Sequence, residues 1–410
     1  MSSASESGRR DPLVGGRIYA LGFVSMTASL STDMYLPAFP SMADDLGAAA
    51  SAVQLTLTAF LIGSAFGQLI IGSISDALGR RRTLIVALTL FSACALGAAF
   101  SPTLSALIAI RAVQGFAGAA GAVLSRAIIA DLVSHERAVR AFSTLFVMIA
   151  LGPAVASPLG ALLAQWGGWR AALGGLAVIG VAMLAVAILV VPESLPRERR
   201  HPFTLSALTG NIGGLLRRPA YLGYVFAYSA GYAALMTYIS SSSFIVQDAL
   251  GHTALTYGLT FSATSVAVMT GAWLNGRVAA HWGAPPTLRG AQLLVIGAAA
   301  GLAVLALSDV LTLGSYLPLA CLFAAGCGAV MSSASALAVG RAAGTAGAGS
   351  ALLGFTQFVF GATASPLGGL AGTATAVPAT IVMTSFAAVG IVAALFAAGR
   401  ERTPPSGPLK

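Results

Sequence analysis

Twelve runs of about 20 mainly apolar residues, each bounded by charge or by a Pro/Gly cluster, fill this chain almost end to end. They begin near Val14, Ala52, Thr83, Leu104, Ala141, Gly168, Ala220, Leu255, Leu288, Leu311, Gly347 and Val377. A run of that length, wound into a helix, crosses the ~30 Å hydrocarbon layer of a bilayer and satisfies its own backbone N–H and C=O groups. A soluble interior has no room for twelve of them. Only 9% of the 410 residues are charged, against roughly 25% in soluble domains. The expected fold class is therefore all-α integral membrane, with twelve transmembrane helices.

An even number of crossings returns both termini to one side, and the basic residues say which. Of the 22 Lys and Arg, 20 fall in the two tails and the connectors after spans 2, 4, 6, 8 and 10. Arg170 alone falls on the opposite side, where the connectors carry Asp44, Asp45, Asp248 and Asp309, and Arg111 alone falls within a span. Both termini are expected to be cytoplasmic. The net charge of +9 is then a trace of topology, and no nucleic-acid partner is expected. Arg9-Arg10 ahead of an apolar run has the look of a secretory or twin-Arg signal, but no Ala-x-Ala-like cleavage site follows, and the run reads as a first span.

Several functions are excluded by residue types. The only lysine is Lys410, so no GxxxxGK[ST] phosphate loop exists and the chain cannot itself be a P-loop ATPase. Cys94, Cys321 and Cys327 lie in apolar stretches without CxxC spacing and read as buried thiols. The four histidines sit in polar connectors and the spans contain no His and no Glu, which leaves an intramembrane enzyme without a base or a metal set. An enzyme, a metal and a cofactor are all unexpected.

The polar stretch from Pro192 to Pro219 separates two sets of six spans. The expected divisions are a tail 1–13, a six-helix bundle 14–191, a linker 192–218, a second bundle 219–399 and a tail 400–410. The halves look duplicated. Gly72-SISDAL-Gly79-RRR-Thr83-Leu84 after span 2 has the frame of Gly276-RVAAHW-Gly283-APP-Thr287-Leu288 after span 8, at an offset of 204. Ser157-Pro158-Leu159-Gly160 in span 5 returns as Ser365-Pro366-Leu367-Gly368 in span 11, at an offset of 208. Parallel repeats of this kind place a binding site near the bilayer midplane, between the two halves.

The connector with Gly72, Asp76, Gly79, Arg80 and Arg81 resembles the GxxxD(R)xGRR signature of the major facilitator superfamily, in which it acts as a conformational latch. Ala77 stands where that family often has Arg, and Ala280 replaces Asp76 in the second copy, so a latch here is one-sided. Arg111-Ala-Val-Gln114-Gly115 in span 4 matches the superfamily's RxxQG element, and Gly152-Pro153 through Pro158 and Gly160 in span 5 resembles its antiporter motif. Asp33-Met34-Tyr35-Leu36-Pro37-Ala38-Phe39-Pro40 resembles the DMYLPALP-like segment of Bcr/CflA-type drug:proton antiporters. Tyr238-ISSSS-Phe244 is similar to that family's YISxSPF, with Ser243 in place of Pro. The resemblance implies two pseudo-symmetric six-helix bundles in a bacterial cytoplasmic membrane, and proton-coupled export of lipophilic or amphipathic drugs by alternating access.

Asp33 and Arg111 are the expected coupling residues, because an intramembrane charge is costly enough to require a function. Burial favours a protonated acid and a nearby guanidinium favours its carboxylate, while Arg111 keeps its own proton, so Asp33 would carry the coupled one. A polyspecific cavity wants thioethers and aromatics with few fixed polar groups. Met34, Tyr35, Gln114, Met148, Tyr228, Tyr232, Met236, Tyr238, Gln357 and Phe358 are the candidates. Protons, small-molecule drugs and the phospholipid bilayer are the expected partners of a monomer. A dedicated exporter of one metabolite or antibiotic stays open as an alternative, and a nutrient:proton symporter is disfavoured by the scarcity of polar groups within the spans.

Overall fold

The computed structural model describes residues 16–133, 135–200, 213–342, 346–370, 372 and 375–402. The N-terminal tail, the middle of the linker and the last eight residues lie outside the described residues. Among the described residues the regular elements are all helical. Span 1 comprises two short helices, Arg17–Ser25 and Thr27–Asp33, followed by a tight turn at Leu36–Ala38 and a short helix Phe39–Asp45. Spans 2, 3 and 4 are Ala50–Leu78, Arg80–Ala99 and Leu104–Leu132. Spans 5 and 6 share one continuous run, His135–Val190, broken at Gly167 and at Gly168, whose φ of +64° suits glycine. Spans 7 to 12 are Pro219–Phe244, Ala254–Trp282, Ala284–Leu307, Leu313–Arg341, Ala346–Ala364 and Val377–Arg402. Span 5 is helical from His135, six residues ahead of the expected start at Ala141.

Seven of the described helices are long and apolar enough to cross a membrane. One of them, 147–190, has 44 residues, about 66 Å of helix, and its glycine break makes it two crossings. The helices outside that group are spans 1, 7, 8 and 11. Span 1 is divided into helices of nine and seven residues, and spans 7 and 8 turn Tyr232, Tyr238, Thr264 and Ser265 toward the cavity described below, which lowers their hydropathy there.

Within the first half, span 2 lies along span 4 and span 3 along the run of spans 5 and 6; within the second, span 8 lies along span 10 and span 7 along spans 11 and 12. The close crossing of spans 2 and 4 needs glycine: a Cβ on Gly115 would fall on the Phe60 carbonyl, and Ser64 Oγ donates to Gly115 O at 3.1 Å. The same crossing recurs where Gly328 of span 10 meets the Val268 carbonyl of span 8. The repeated frame after spans 2 and 8 has a backbone cause as well. Gly79 and Gly283 turn the chain at φ of +99° and +82°, where a side chain would be strained.

The halves meet where span 2 faces span 11 and span 5 faces span 8. Their contacts gather at the end opposite the arginine-rich connectors, here called the far end. Gln54 Nε2 donates to Ser240 O at 3.0 Å, Gln247 Nε2 to Pro37 O at 2.9 Å, and the rings of Phe39 and Phe244 lie 5.9 Å apart. Arg170 at that end is neutralised by Asp45, whose Oδ2 lies 2.5 Å from Arg170 Nη1 and accepts from Trp169 Nε1 at 2.9 Å. Of the three thiols, Cys327 is buried, whereas Cys94 and Cys321 are half-buried because they lie toward the bundle surface.

Candidate functional site

Span 1 bends where hydroxyls bond back to carbonyls of their own helix: Ser25 Oγ donates to Gly22 O at 2.6 Å and Thr27 Oγ1 to Val24 O. Ser25, Ala28, Ser29, Thr32 and Asp33 recur at helical spacing and face a central cavity. Asp33 is 4% exposed, and Thr32 Oγ1 lies 3.0 Å from its Oδ1. Among the described residues no cation pairs with it.

Arg111 reaches span 1 on the other side. Its Nη1 donates to Ser31 Oγ at 2.8 Å and Gln114 Oε1 at 2.6 Å, and its Nη2 to Ser31 O at 2.8 Å. The guanidinium carbon sits 4.4 Å from the Tyr35 ring centroid and 4.6 Å from that of Phe60, so the fully buried charge is sandwiched between two aromatic faces. Residues two apart on a helix point about 200° apart. Ser31 therefore faces span 4 while Asp33 faces the cavity, and Arg111 and Asp33 lie on opposite flanks of one helix with no ion pair between them.

The cavity measures about 360 Å³ and takes its walls from spans 1, 2, 4 and 5 of one half and spans 7, 8, 10 and 11 of the other. Among the described residues Asp33 is the only charged one in its lining. Five aromatic rings and three thioethers dominate the rest, a surface that suits apolar guests of varied shape. Of the residues expected to line it, Tyr232, Met236, Tyr238 and Phe358 do so. Tyr232 and Phe358 pack edge to face at 5.8 Å, and Tyr238 donates to Thr264 Oγ1 at 3.2 Å. Tyr228 and Gln357, joined by a 2.6 Å hydrogen bond, bridge spans 7 and 11 beside it.

Met34, Tyr35, Gln114 and Met148 stand away from the cavity wall. Tyr35 and Gln114 build the seat of Arg111, with Tyr35 OH 3.0 Å from Thr56 Oγ1. Met34 packs under Gly160 and Gly175, and Met148 against Gly22. The cavity instead includes Phe60, Gln68, Phe261, Met269 and Met331, which were not expected there. A signal for span 8 was available: Phe261, Thr264, Ser265, Val268 and Met269 share one helical face, and two of them are polar.

The turn between spans 2 and 3 is tied to the first half and to the start of the linker by the contacts around Arg80 and Arg81. Asp76 Oδ1 and Asp131 Oδ2 hold Arg80 at 2.6 and 3.1 Å, Glu193 Oε1 accepts from the Arg80 backbone N–H at 2.9 Å, and Arg81 Nη2 donates to Ile188 O at 2.6 Å. Gly72 packs loosely beside Val123 of span 4. In span 5, Gly152 approaches Ser29 of span 1 and Gly160 its Met34 carbonyl, while Pro158 meets Gly258 of span 8. Pro153 reaches the cavity. Among the described residues no group of three His, Cys, Asp or Glu could hold a metal ion.

Comparison with known proteins agrees with this geometry. The model of the Major Facilitator Superfamily matches residues 21–366. An uncharacterized MFS-type transporter, YdgK, of Bacillus subtilis is 35% identical over 94% of this chain and 95% of its own length. A bicyclomycin resistance protein homolog of Haemophilus influenzae is 31% identical over 94% and 96%. A bacterial homolog of the human lysosomal transporter Spinster, solved in an inward-facing, unoccupied conformation, superposes with a TM-score of 0.74 at 13% identity, covering 95% of this chain and 98% of that one, which shows the shared fold. The chain belongs to the major facilitator superfamily, and within it to the Bcr/CflA type of multi-pass membrane transporter.

Proposed function

We propose that the protein is a proton-coupled multidrug efflux antiporter of the bacterial cytoplasmic membrane, acting as a monomer with both termini in the cytoplasm. The observation that carries this reading is the central cavity, mainly apolar and aromatic with a few hydroxyls, in which Asp33 is the only charge among the described residues. The name of the bicyclomycin relative supports drugs as the cargo, and the placement of arginines supports the orientation.

In this reading the closed far end makes the structure the inward-facing member of an alternating-access pair. Drug enters from the cytoplasm or inner leaflet and meets Asp33. Proton and drug compete through that carboxyl: the protonated acid sits readily in an apolar wall and lets the empty carrier return, whereas the carboxylate needs polar company. Arg111 fixes the helix that bears Asp33 rather than titrating with it. The reading has no need of a nucleophile or catalytic base, so the protein is a transporter and not an enzyme.

The test is uptake of a cationic dye and of a neutral antibiotic into everted vesicles with an imposed pH gradient. Gradient-driven movement of both, lost in Asp33→Asn, is expected. Full pH-driven transport by Asp33→Asn would remove Asp33 from the mechanism, and movement of neither compound would turn the reading toward a narrow-substrate exporter.

A further inference from the structure

In an α-helix a proline withholds the N–H that the carbonyl four residues earlier would accept. Pro158 inside span 5 does this to Ala154, and Pro366, in the 3-10 turn Ser365–Gly369 that follows span 11, likewise offers no N–H to Ala362 four residues back. Both carbonyls are taken by a hydroxyl from the opposite half. Ser262 Oγ of span 8 donates to Ala154 O at 2.7 Å, and Thr58 Oγ1 of span 2 donates to Ala362 O at 3.0 Å. The two contacts are copies of each other: the acceptors lie 208 residues apart and the donors 204, the two offsets of the sequence repeats.

A third pair of residues completes the pattern. Ser157 and Ser365, immediately before the prolines, are fully buried, and their hydroxyls have no hydrogen-bond partner. A serine on a helix can bond the carbonyl three residues back, which is Ala154 for Ser157 and Ala362 for Ser365. Each proline-freed carbonyl thus has one hydroxyl engaged across the interface and one idle beside it. Ser262 has its own fallback, since Gly258 O of span 8 lies 3.0 Å away.

We propose that the Ala154 and Ala362 carbonyls are donor-exchange points of the far-end gate, with Ser262 and Thr58 holding them when it is closed and Ser157 and Ser365 taking them when it opens. The proposal rests on the alternating-access reading above. It gives each Ser-Pro pair a division of labour: proline frees the acceptor and serine supplies the substitute donor. The gate then opens without leaving a bare carbonyl in a low-dielectric interface, which would otherwise hold it shut.

The test is a distance measurement between spin labels at Ala49 and Val310, both exposed at the far end, in protein whose Cys94, Cys321 and Cys327 are replaced by Ala. Two distance populations that respond to pH are expected for this parent. Ser262→Ala and Thr58→Val should raise the open-to-closed ratio about three- to fivefold, the worth of one hydrogen bond, while Ser262→Thr and Thr58→Ser keep it. Ser157→Ala and Ser365→Ala should shift it the other way, because they lose a bond only in the open state. Pro158→Ala returns a helical N–H to Ala154, so Ser262→Ala should have no further effect in that background. Equal effects of Ser262→Ala with and without Pro158, or an unmoved ratio in Ser157→Ala, would overturn the exchange. A single unchanging distance in the parent would instead sink the two-state reading beneath it.

Discussion

Arg111 holds Ser31 by both its hydroxyl and its backbone carbonyl, 2.8 Å from each, two residues from Asp33 on the opposite flank of the same helix. Among the described residues, the one fully buried cation of the spans therefore grips the helix that carries the one acid of the cavity, and does so in part through a peptide group that no side-chain substitution removes. Proton affinity at Asp33 can then respond to movement of span 1 as a unit.

That arrangement separates two substitutions. Arg111→Lys retains the charge but loses the planar fork and the stacking between Tyr35 and Phe60. It should cost about 1–3 kcal/mol, read as a lower melting temperature in detergent. Asp33→Asn makes no such demand, because Asn can accept the Thr32 hydrogen bond, and its melting temperature should stay near that of the parent while coupling is lost.

The two inter-span turns can be compared through their glycines. Gly79→Ala places a side chain in a backbone region close to glycine-only, at a cost of about 1–3 kcal/mol, and drives its Cβ toward Glu193 and Arg200. Gly283→Ala carries the backbone strain alone, since the nearest foreign atom is Pro285 Cδ at 3.9 Å. Thermal unfolding should rank Gly79→Ala as the more damaging of the two.

At the far end, the hydrogen bond from Trp169, and secondly Arg170, hold the Asp45 carboxyl below the usual carboxylate range. A depressed folded-state value means that the contact contributes fully above about pH 4, the unfolded value, and is lost as pH falls through the lower folded one. Hydrogen exchange across residues 39–49 should be flat from pH 7 to 5 once corrected for intrinsic rates and should rise toward pH 3. In Asp45→Asn that rise should disappear.

Cavity position predicts which aromatic and thioether changes alter substrate preference. Tyr232→Ala or Tyr238→Ala, both on the wall, should change the apparent affinity for a bulky dye by about tenfold. Met148→Ala, packed against Gly22 away from the wall, should change it less than twofold. Transport kinetics in vesicles with two dyes of different size would check both.

Much of the fold was legible because lipid imposes so few solutions: the apolar lengths marked the crossings, and Gly79 with Gly283 marked the repeated turns. Asp33 and Arg111 stood out for the same reason, as charges where charge is expensive. The facing of side chains was harder to see. Tyr35 and Gln114 are as polar as the neutral cavity residues, yet they serve the buried guanidinium, because a helix covered in small and apolar residues has little amphipathic bias to reveal its rotation. Span 8 is the exception, since Thr264 and Ser265 mark its cavity face. The break of span 1 at Met26 was hidden too, since it depends on hydroxyls bonding back to their own helix.

Spans 5 and 6 turn back on each other through Gly167 and Gly168 alone. A protease or an antibody needs a length of chain it can draw out from the surface, and a two-residue hairpin between two helices supplies none. In the proposed orientation this corner belongs to the cell exterior, so it is well armoured against extracellular enzymes and a poor place to insert an epitope tag. Handles for purification or surface detection belong instead at Gly47–Ala49 or Gly251–Thr253, where short non-helical connectors are exposed.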